Sequence, residues 1–129
     1  MKRLHVLVVD DELEFINTLA ERLELRNMKA DFVTTGKEAI ELVKQKQFDV
    51  VILDMVLQRT RGKDVLRAMK KLRPDLAVIL VSGRRCEEDY AECKQEGAFD
   101  FLVKPVRIEK LIEKMQQAVK SAREGAGKE

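Results

Sequence analysis

The sequence predicts an α/β fold in which a doubly wound, five-stranded parallel sheet is covered by five helices. Five short apolar segments alternate with stretches that have the spacing of amphipathic helices, and reactive polar residues follow four of the segments. Such alternation is typical of parallel sheets with right-handed crossovers. The length of 129 residues suits one domain. We predict that this domain spans residues 1–123, with a tail or linker over residues 124–129.

The predicted strands are short and rich in Val, Ile and Leu. Three are nearly continuous in these residues, as expected of parallel strands that are buried on both faces. The second is more polar, which favours a position at the edge of the sheet. The five strands are Leu4–Val9, Ala30–Thr34, Val50–Leu53, Ala77–Val81 and Phe99–Val103.

The stretches between these strands have apolar residues at helical spacing. The last helix has the clearest pattern, which runs from Ile108 to Val119. The fourth, from Cys86 to Gln95, has few apolar residues, so we expect it to pack loosely. The predicted apolar faces of the first three helices are Ile16, Leu19 and Leu23; Ala39, Ile40 and Val43; and Val65, Leu66, Met69 and Leu72.

Composition and charge exclude several classes of function. Lys and Arg number 25 against 23 Asp and Glu, a net charge of +2, which is too small for a surface that binds nucleic acid. No apolar run is long enough to span a membrane. Cys86 and Cys93 lie too far apart on a helix to form a disulfide, so we expect free thiols. These features together predict a cytoplasmic protein.

Reactive side chains follow the ends of four predicted strands. Asp10 and Asp11 follow the first strand, Asp54 the third, Ser82 the fourth and Lys104 the fifth. In open α/β sheets, ligands bind beyond the carboxyl ends of the strands. Singly, each residue is an ordinary helix cap, turn residue or strand exit. Their convergence on one edge of the sheet is what indicates a functional site.

The types of residue at this edge favour phosphoryl chemistry. Three carboxylates at close range repel one another unless protons or a cation offset their charge. Mg²⁺ suits such a site because it prefers oxygen ligands and leaves positions open for water and phosphate. Lys104 could neutralise one phosphate oxygen and the Ser82 hydroxyl could donate a hydrogen bond to another.

The order and spacing of these motifs resemble the receiver domain of two-component response regulators, from about Arg3 to Ala122. The matching stretches are Val8-Val9-Asp10-Asp11-Glu12, Val51-Ile52-Leu53-Asp54-Met55, Gly62, Val81-Ser82-Gly83, Gly97-Ala98 and Phe101-Leu102-Val103-Lys104-Pro105. The resemblance implies the flavodoxin-like strand order 2-1-3-4-5. It also implies a signalling switch rather than an enzyme that turns over an external substrate.

The resemblance assigns the phosphoacceptor and the metal ligands. Asp54 matches the carboxylate that takes a phosphoryl group from a sensor histidine kinase or a phosphotransfer protein. Asp11 and Asp54 match ligands of Mg²⁺, and Asp10 matches a residue that holds the ion chiefly through water. The backbone carbonyl of Val56 matches the remaining protein ligand.

The resemblance also implies a set of switch residues. Lys104 matches a lysine that contacts the phosphoryl group and is followed by a cis peptide bond to Pro105. Ser82 matches the hydroxyl that moves towards the phosphoryl group, and Phe101 matches an aromatic residue that moves with it. Phe101 is equally explained as a core residue of the fifth strand. The face formed by the fourth helix, fifth strand and fifth helix would then bind an effector or a second copy.

Three other functions share some of these features. A flavodoxin-type electron carrier has the same predicted fold, but the run Asp10-Asp11-Glu12 would repel a flavin phosphate. A phosphohydrolase with an Asp nucleophile needs a second carboxylate two residues after it, where this chain has Val56. A receiver that only binds proteins would not need the reactive residues that this sequence retains.

Overall fold

The computed structural model describes residues 3–57, 60–84 and 86–126, and in them the five predicted strands alternate with five helices, with one additional short hairpin. The strands are β1 (His5–Val9), β2 (Lys29–Val33), β3 (Val50–Asp54), β4 (Val56–Leu57), β5 (Thr60–Arg61), β6 (Ala77–Ser82) and β7 (Asp100–Val103). The helices are α1 (Leu13–Leu25), α2 (Gly36–Gln45), α3 (Gly62–Leu72), α4 (Glu87–Gln95) and α5 (Ile108–Ala126).

The main sheet has five parallel strands in the order β2-β1-β3-β6-β7. Without the short β4–β5 pair, this is the order 2-1-3-4-5, so the predicted fold class is confirmed. Strands β3 and β6 are buried along their whole length, and β1 is buried except at His5. Strand β2 is mostly only half-buried, as expected of a polar edge strand.

The central strands supply side chains to a hydrophobic core on each face of the sheet, because successive residues of a strand point to opposite faces. On one face, Leu7 and Leu80 pack in a cluster with residues of α2 and α3. On the other, Val8 and Ile79 pack with residues of α1 and α5. Helices therefore cover both faces, which is the doubly wound arrangement.

Most of the predicted helix faces are buried, with one exception. The residues predicted for α1 are all buried, and so are the first three predicted for α3. The prediction for Leu72 is wrong: this last residue of α3 is 41% exposed and lines a surface cavity of about 360 Å³ beside Phe48 and Pro74. Helix α4 has a single fully buried residue, Cys93, which agrees with loose packing.

A short antiparallel hairpin, β4–β5, follows β3 and was not predicted. It pairs Val56 with Arg61 and Leu57 with Thr60. Gly62 closes the hairpin against β3, with its N–H 2.8 Å from the carbonyl oxygen of Met55. A Cβ atom on Gly62 would lie 2.5 Å from the carbonyl oxygen of Asp54, so only glycine fits this approach without a shift of the backbone.

The C-terminal helix extends past the predicted domain boundary at residue 123. Helix α5 runs to Ala126, and the rest of the predicted tail, residues 127–129, lies outside the described residues. Within the described part of the chain, no helix has the length and apolar character needed to cross a membrane. Cys86 and Cys93 are both free thiols, as predicted.

Candidate functional site

The parallel sheet brings the predicted site residues to one edge. Asp54 is the last residue of β3 and pairs with Val81 of β6. Asp10 follows β1 directly, and its N–H donates to the carbonyl oxygen of Val33 at 3.1 Å. Lys104 follows β7, and its N–H donates to the carbonyl oxygen of Ser82 at 2.7 Å. Backbone hydrogen bonds therefore fix the Cα positions of these three residues at this edge of the sheet.

The three predicted acidic residues form one cluster. A carboxylate oxygen from each of Asp10, Asp11 and Asp54 lies within 4.8 Å of the others. Asp10 is completely buried and Asp54 is 7% exposed, whereas Asp11 is exposed. Buried carboxylates so close together need a cation to offset their charge.

In this structure the ammonium of Lys104 offsets part of that charge. Its Nζ lies 2.9 Å from Asp10 Oδ2, 3.4 Å from Asp54 Oδ2 and 3.5 Å from Glu12 Oε2. Burial alone would lower the pKa of Lys104, but the hydrogen bond to Asp10 and the nearby carboxylates raise it above its ordinary value. Lys104 is therefore held charged. The Lys104–Pro105 peptide bond is cis.

The environment of Asp54 disfavours its charged form. Burial raises the pKa of Asp54, and repulsion by Asp10 adds to the increase. The N–H of Val56, which donates to Asp54 Oδ1 at 3.1 Å, and the ammonium of Lys104 act in the opposite direction. The net result is a raised pKa, so the carboxylate is stabilised by binding further positive charge.

The two predicted switch residues, Ser82 and Phe101, are buried and are not part of the acidic cluster. Ser82 is 5% exposed, and its hydroxyl oxygen accepts the N–H of Arg84 at 3.3 Å. Phe101 is 7% exposed and belongs to the core under α4, with its ring centroid 6.0 Å from that of Tyr90. The side chain of Val56, in contrast, is 73% exposed.

Sequence reasoning missed two contacts of Lys104. Glu12 occupies the N-cap position of α1 but its side chain makes no cap hydrogen bond, and its N–H donates to Asp10 Oδ1 at 2.8 Å. The carboxylate of Glu12 forms an ion pair with Lys104. The aromatic ring of Phe15 also faces this ammonium, at 4.8 Å from Nζ to the ring centroid. No spacing in the sequence distinguishes Phe15 from an ordinary core residue of α1.

Comparison with known proteins agrees with the fold and identifies the family. The family model of the response regulator receiver domain matches residues 6–116. The response regulator SaeR of Staphylococcus aureus (strain USA300) is 29% identical over 120 residues, an alignment that covers 88% of this chain and 52% of SaeR. The chain therefore spans about half the length of the curated relatives it matches.

Two solved structures share the fold over most of the chain. A CheY-like receiver domain protein from Methanospirillum hungatei has a TM-score of 0.91 at 23% identity, covering 96% of this chain and 99% of that one. A response regulator from Burkholderia pseudomallei, crystallised with a phosphorylated aspartic acid, a calcium ion and citrate, has a TM-score of 0.83 at 23% identity. That match covers 96% of this chain and 73% of the other.

The fold and the acidic site define a receiver module of two-component signalling systems. The chain belongs to the response regulator receiver domain family. Its cluster of Asp10, Asp11 and Asp54 fits a Mg²⁺ site.

Proposed function

We propose that the chain is a phosphorylation switch in which Asp54 accepts a phosphoryl group in a Mg²⁺-dependent reaction. The donor is a phosphohistidine on a sensor histidine kinase or a phosphotransfer protein. One observation supports this most directly: Asp54 lies among two further carboxylates within 4.8 Å and an ammonium at 3.4 Å. This combination of a nucleophile, candidate metal ligands and a fixed cation is what phosphoryl transfer requires.

The residues present fit a magnesium ion. The cluster offers oxygen donors only, and the buried carboxylates of Asp10 and Asp54 share a single neighbouring ammonium, that of Lys104, among the described residues. We assign Asp11, Asp54 and the backbone carbonyl of Val56 as ligands, and Asp10 as a ligand chiefly through water. A bound Mg²⁺ would supply positive charge that lets a carboxylate meet an anionic phosphoryl group.

In the proposed reaction, an oxygen of Asp54 attacks the phosphorus of the phosphohistidine. A phosphorus–oxygen bond forms, the phosphorus–nitrogen bond breaks, and the departing imidazole keeps the electron pair and takes up a proton. Lys104 stabilises charge on the phosphoryl oxygens, and the Ser82 hydroxyl donates a hydrogen bond to one of them. Lys104 is suited to this role because its charge is already held at the site by Asp10.

Exposed apolar side chains beside the site support a protein as the phosphodonor. Leu13 at the start of α1 is 67% exposed, and Val56 is 73% exposed. Between α1 and the segment after β7 lies an open cavity of about 310 Å³, lined in part by Phe15, Pro105 and Ile108. Exposed apolar surface next to the site is available for contact with a protein partner.

We propose that phosphorylation changes the face formed by α4, β7 and α5, which binds an effector or a second copy. Helix α4 is suited to movement because it has a single fully buried residue. It is held to α3 by ion pairs such as Lys63–Glu92 at 3.1 Å and Arg67–Glu96 at 3.0 Å. Partly exposed ion pairs contribute little stability. Cys93 of α4 is buried against Met55 and therefore adds nothing to the exposed part of this face.

We further propose that the protein acts in the cytoplasm, does not bind nucleic acid through this domain, and ends its receiver domain near residue 123. The two free thiols support a reducing compartment.

A phosphohydrolase activity is not supported, because Val56 offers no acid or base two residues after Asp54.

Intact-mass spectrometry after incubation with acetyl phosphate and Mg²⁺ tests the proposal. We expect one phosphoryl adduct, lost in Asp54→Asn and when a chelator replaces Mg²⁺. A matched control is Asp64→Asn, because Asp64 is an exposed carboxylate on α3 outside the acidic cluster; this variant should form the adduct normally. An adduct that persists in Asp54→Asn, or that forms equally well without Mg²⁺, would contradict the proposal.

A further inference from the structure

The ammonium of Lys104 has partners of two kinds. Three carboxylates surround it, with Asp10 closest at 2.9 Å, then Asp54 and Glu12. The ring of Phe15 lies against it at 4.8 Å from Nζ to the ring centroid. An ammonium within about 6 Å of a ring centroid is attracted by the electron-rich face of the ring.

The ring differs from the carboxylates because it is neutral. Asp10 and Asp54 are proposed to turn towards a divalent cation and a phosphoryl group, and neither can then hold Lys104 as closely. Glu12 is 53% exposed, so solvent screens its attraction. The ring of Phe15 competes for neither the metal nor the phosphoryl group, and its contact with Lys104 is therefore available throughout the reaction.

The position of the ring is fixed by the fold. Phe15 lies in the first turns of α1, where it is half-buried and packs against the core between the sheet, α1 and α5. The Lys104 side chain is only 15% exposed, so its contact with the ring is largely shielded from water. Shielding of this kind strengthens a cation–π contact.

We propose that Phe15 is a positioning residue for the phosphorylation reaction: its ring holds the Lys104 ammonium at the acidic site when the carboxylates engage the metal and the phosphoryl group. The inference rests on the proposed function of Asp54. It predicts that Phe15 acts through Lys104 and not through general stability or through the binding of Mg²⁺.

A double-mutant cycle tests this coupling. The rate of adduct formation is measured at saturating Mg²⁺ and acetyl phosphate for the wild type, Phe15→Leu, Lys104→Ala and the double variant. We expect Phe15→Leu to slow the reaction about two- to tenfold, the range typical of a cation–π contact. Phe15→Tyr should restore the rate, and Phe15→Leu should cause no further loss when Lys104 is already Ala.

A matched control is Phe48→Leu. Phe48 is also half-buried, but it packs on His5 at the opposite end of the sheet, with ring centroids 4.5 Å apart. We expect the Phe48→Leu variant to form the adduct at the same rate as the wild type. The Mg²⁺ affinity of Phe15→Leu, measured by titration, should also stay unchanged, which a general distortion of the site would not allow.

The outcomes separate the two proposals. If the wild type forms no adduct, the proposed function fails. If the wild type reacts and the Phe15→Leu variant reacts equally fast, the role of Phe15 is refuted. It is also refuted if the substitution Phe15→Leu slows the reaction as much in the Lys104→Ala variant as in the wild type. NMR of the wild type gives a test that does not depend on folding of a variant: the ε-methylene protons of Lys104 should be shifted upfield by the ring. Protons at their ordinary position would overturn the proposal.

Discussion

Replacing Gly62 by Ala tests how the close approach of α3 to β3 positions Asp54, the proposed phosphoacceptor. A Cβ atom at this position would lie 2.5 Å from the carbonyl oxygen of Asp54 and 2.6 Å from Cα of Met55. Both neighbours are backbone atoms and cannot rotate away. Because real Cβ atoms stay at least 3.0 Å from such neighbours, the two segments must separate by about half an ångström.

The energetic cost follows from this geometry. Separation weakens the hydrogen bond between the N–H of Gly62 and the carbonyl oxygen of Met55, now 2.8 Å long. Inserting a methyl group into a tightly packed position costs about 1–3 kcal/mol. Ala is favoured over Gly by about 1 kcal/mol in the interior of a helix, and by less at a first residue such as this one. We therefore expect Gly62→Ala to lower the free energy of unfolding by about 1–2 kcal/mol.

Urea titration followed by circular dichroism measures this loss, and Gly83→Ala is the matched control. A Cβ atom on Gly83 would meet nothing within 4 Å. The free energy of unfolding of the Gly83→Ala variant should therefore stay within about 0.5 kcal/mol of the wild type. Adduct formation should also slow in Gly62→Ala, because the displaced backbone bears Asp54, the proposed nucleophile. Equal unfolding midpoints for the two variants would refute the reasoning.

Three further predictions concern other parts of the domain. Burial alone would raise the pKa of Asp100, but the N–H of the next residue and the ammonium of Lys114, 3.0 Å away, lower it. A carboxyl group whose pKa is lowered by folding stabilises the protein at pH values above its pKa in the unfolded state. Asp100→Asn should therefore be less stable than the wild type at pH 7, by a margin that shrinks below about pH 4. Urea midpoints measured at pH 7 and below pH 4 check this. Burial raises the pKa of the Cys93 thiol to about 11, so iodoacetamide should label the half-exposed Cys86 first in native protein, and equal labelling would contradict the buried position. The exposed side chain of Val56 cannot orient a water molecule, so Val56→Asn should shorten the lifetime of the phosphorylated state; an unchanged decay rate would oppose this.

The sheet and the acidic cluster could be predicted because both follow from local patterns. Continuous Val, Ile and Leu segments identify strands buried on both faces, and a parallel sheet places all of their carboxyl ends at one edge. Asp10, Asp54 and Lys104 each stand directly at or after such an end. Their convergence therefore required no knowledge of distant contacts.

Other features depended on contacts that the sequence pattern does not encode. The β4–β5 hairpin has strands of only two residues, which is too short for a periodic pattern. Helical spacing placed Leu72 on the buried face of α3, but the end of the helix lies beside a surface cavity. The contact of Phe15 with Lys104 joins α1 to the segment after β7, and no local rule pairs these two positions.

The sequence separation of the ion pair between Asp10 and Lys104 has a consequence for the newly made chain. These residues are 94 positions apart, and Lys104 and Asp54 are 50 apart. A ribosome releases the first three strands of the sheet well before β7, so a nascent chain carries Asp54, the proposed phosphoacceptor, before the ammonium of Lys104 has been made. The full set of charges at the site is therefore assembled only after β7 and Lys104 have been synthesised.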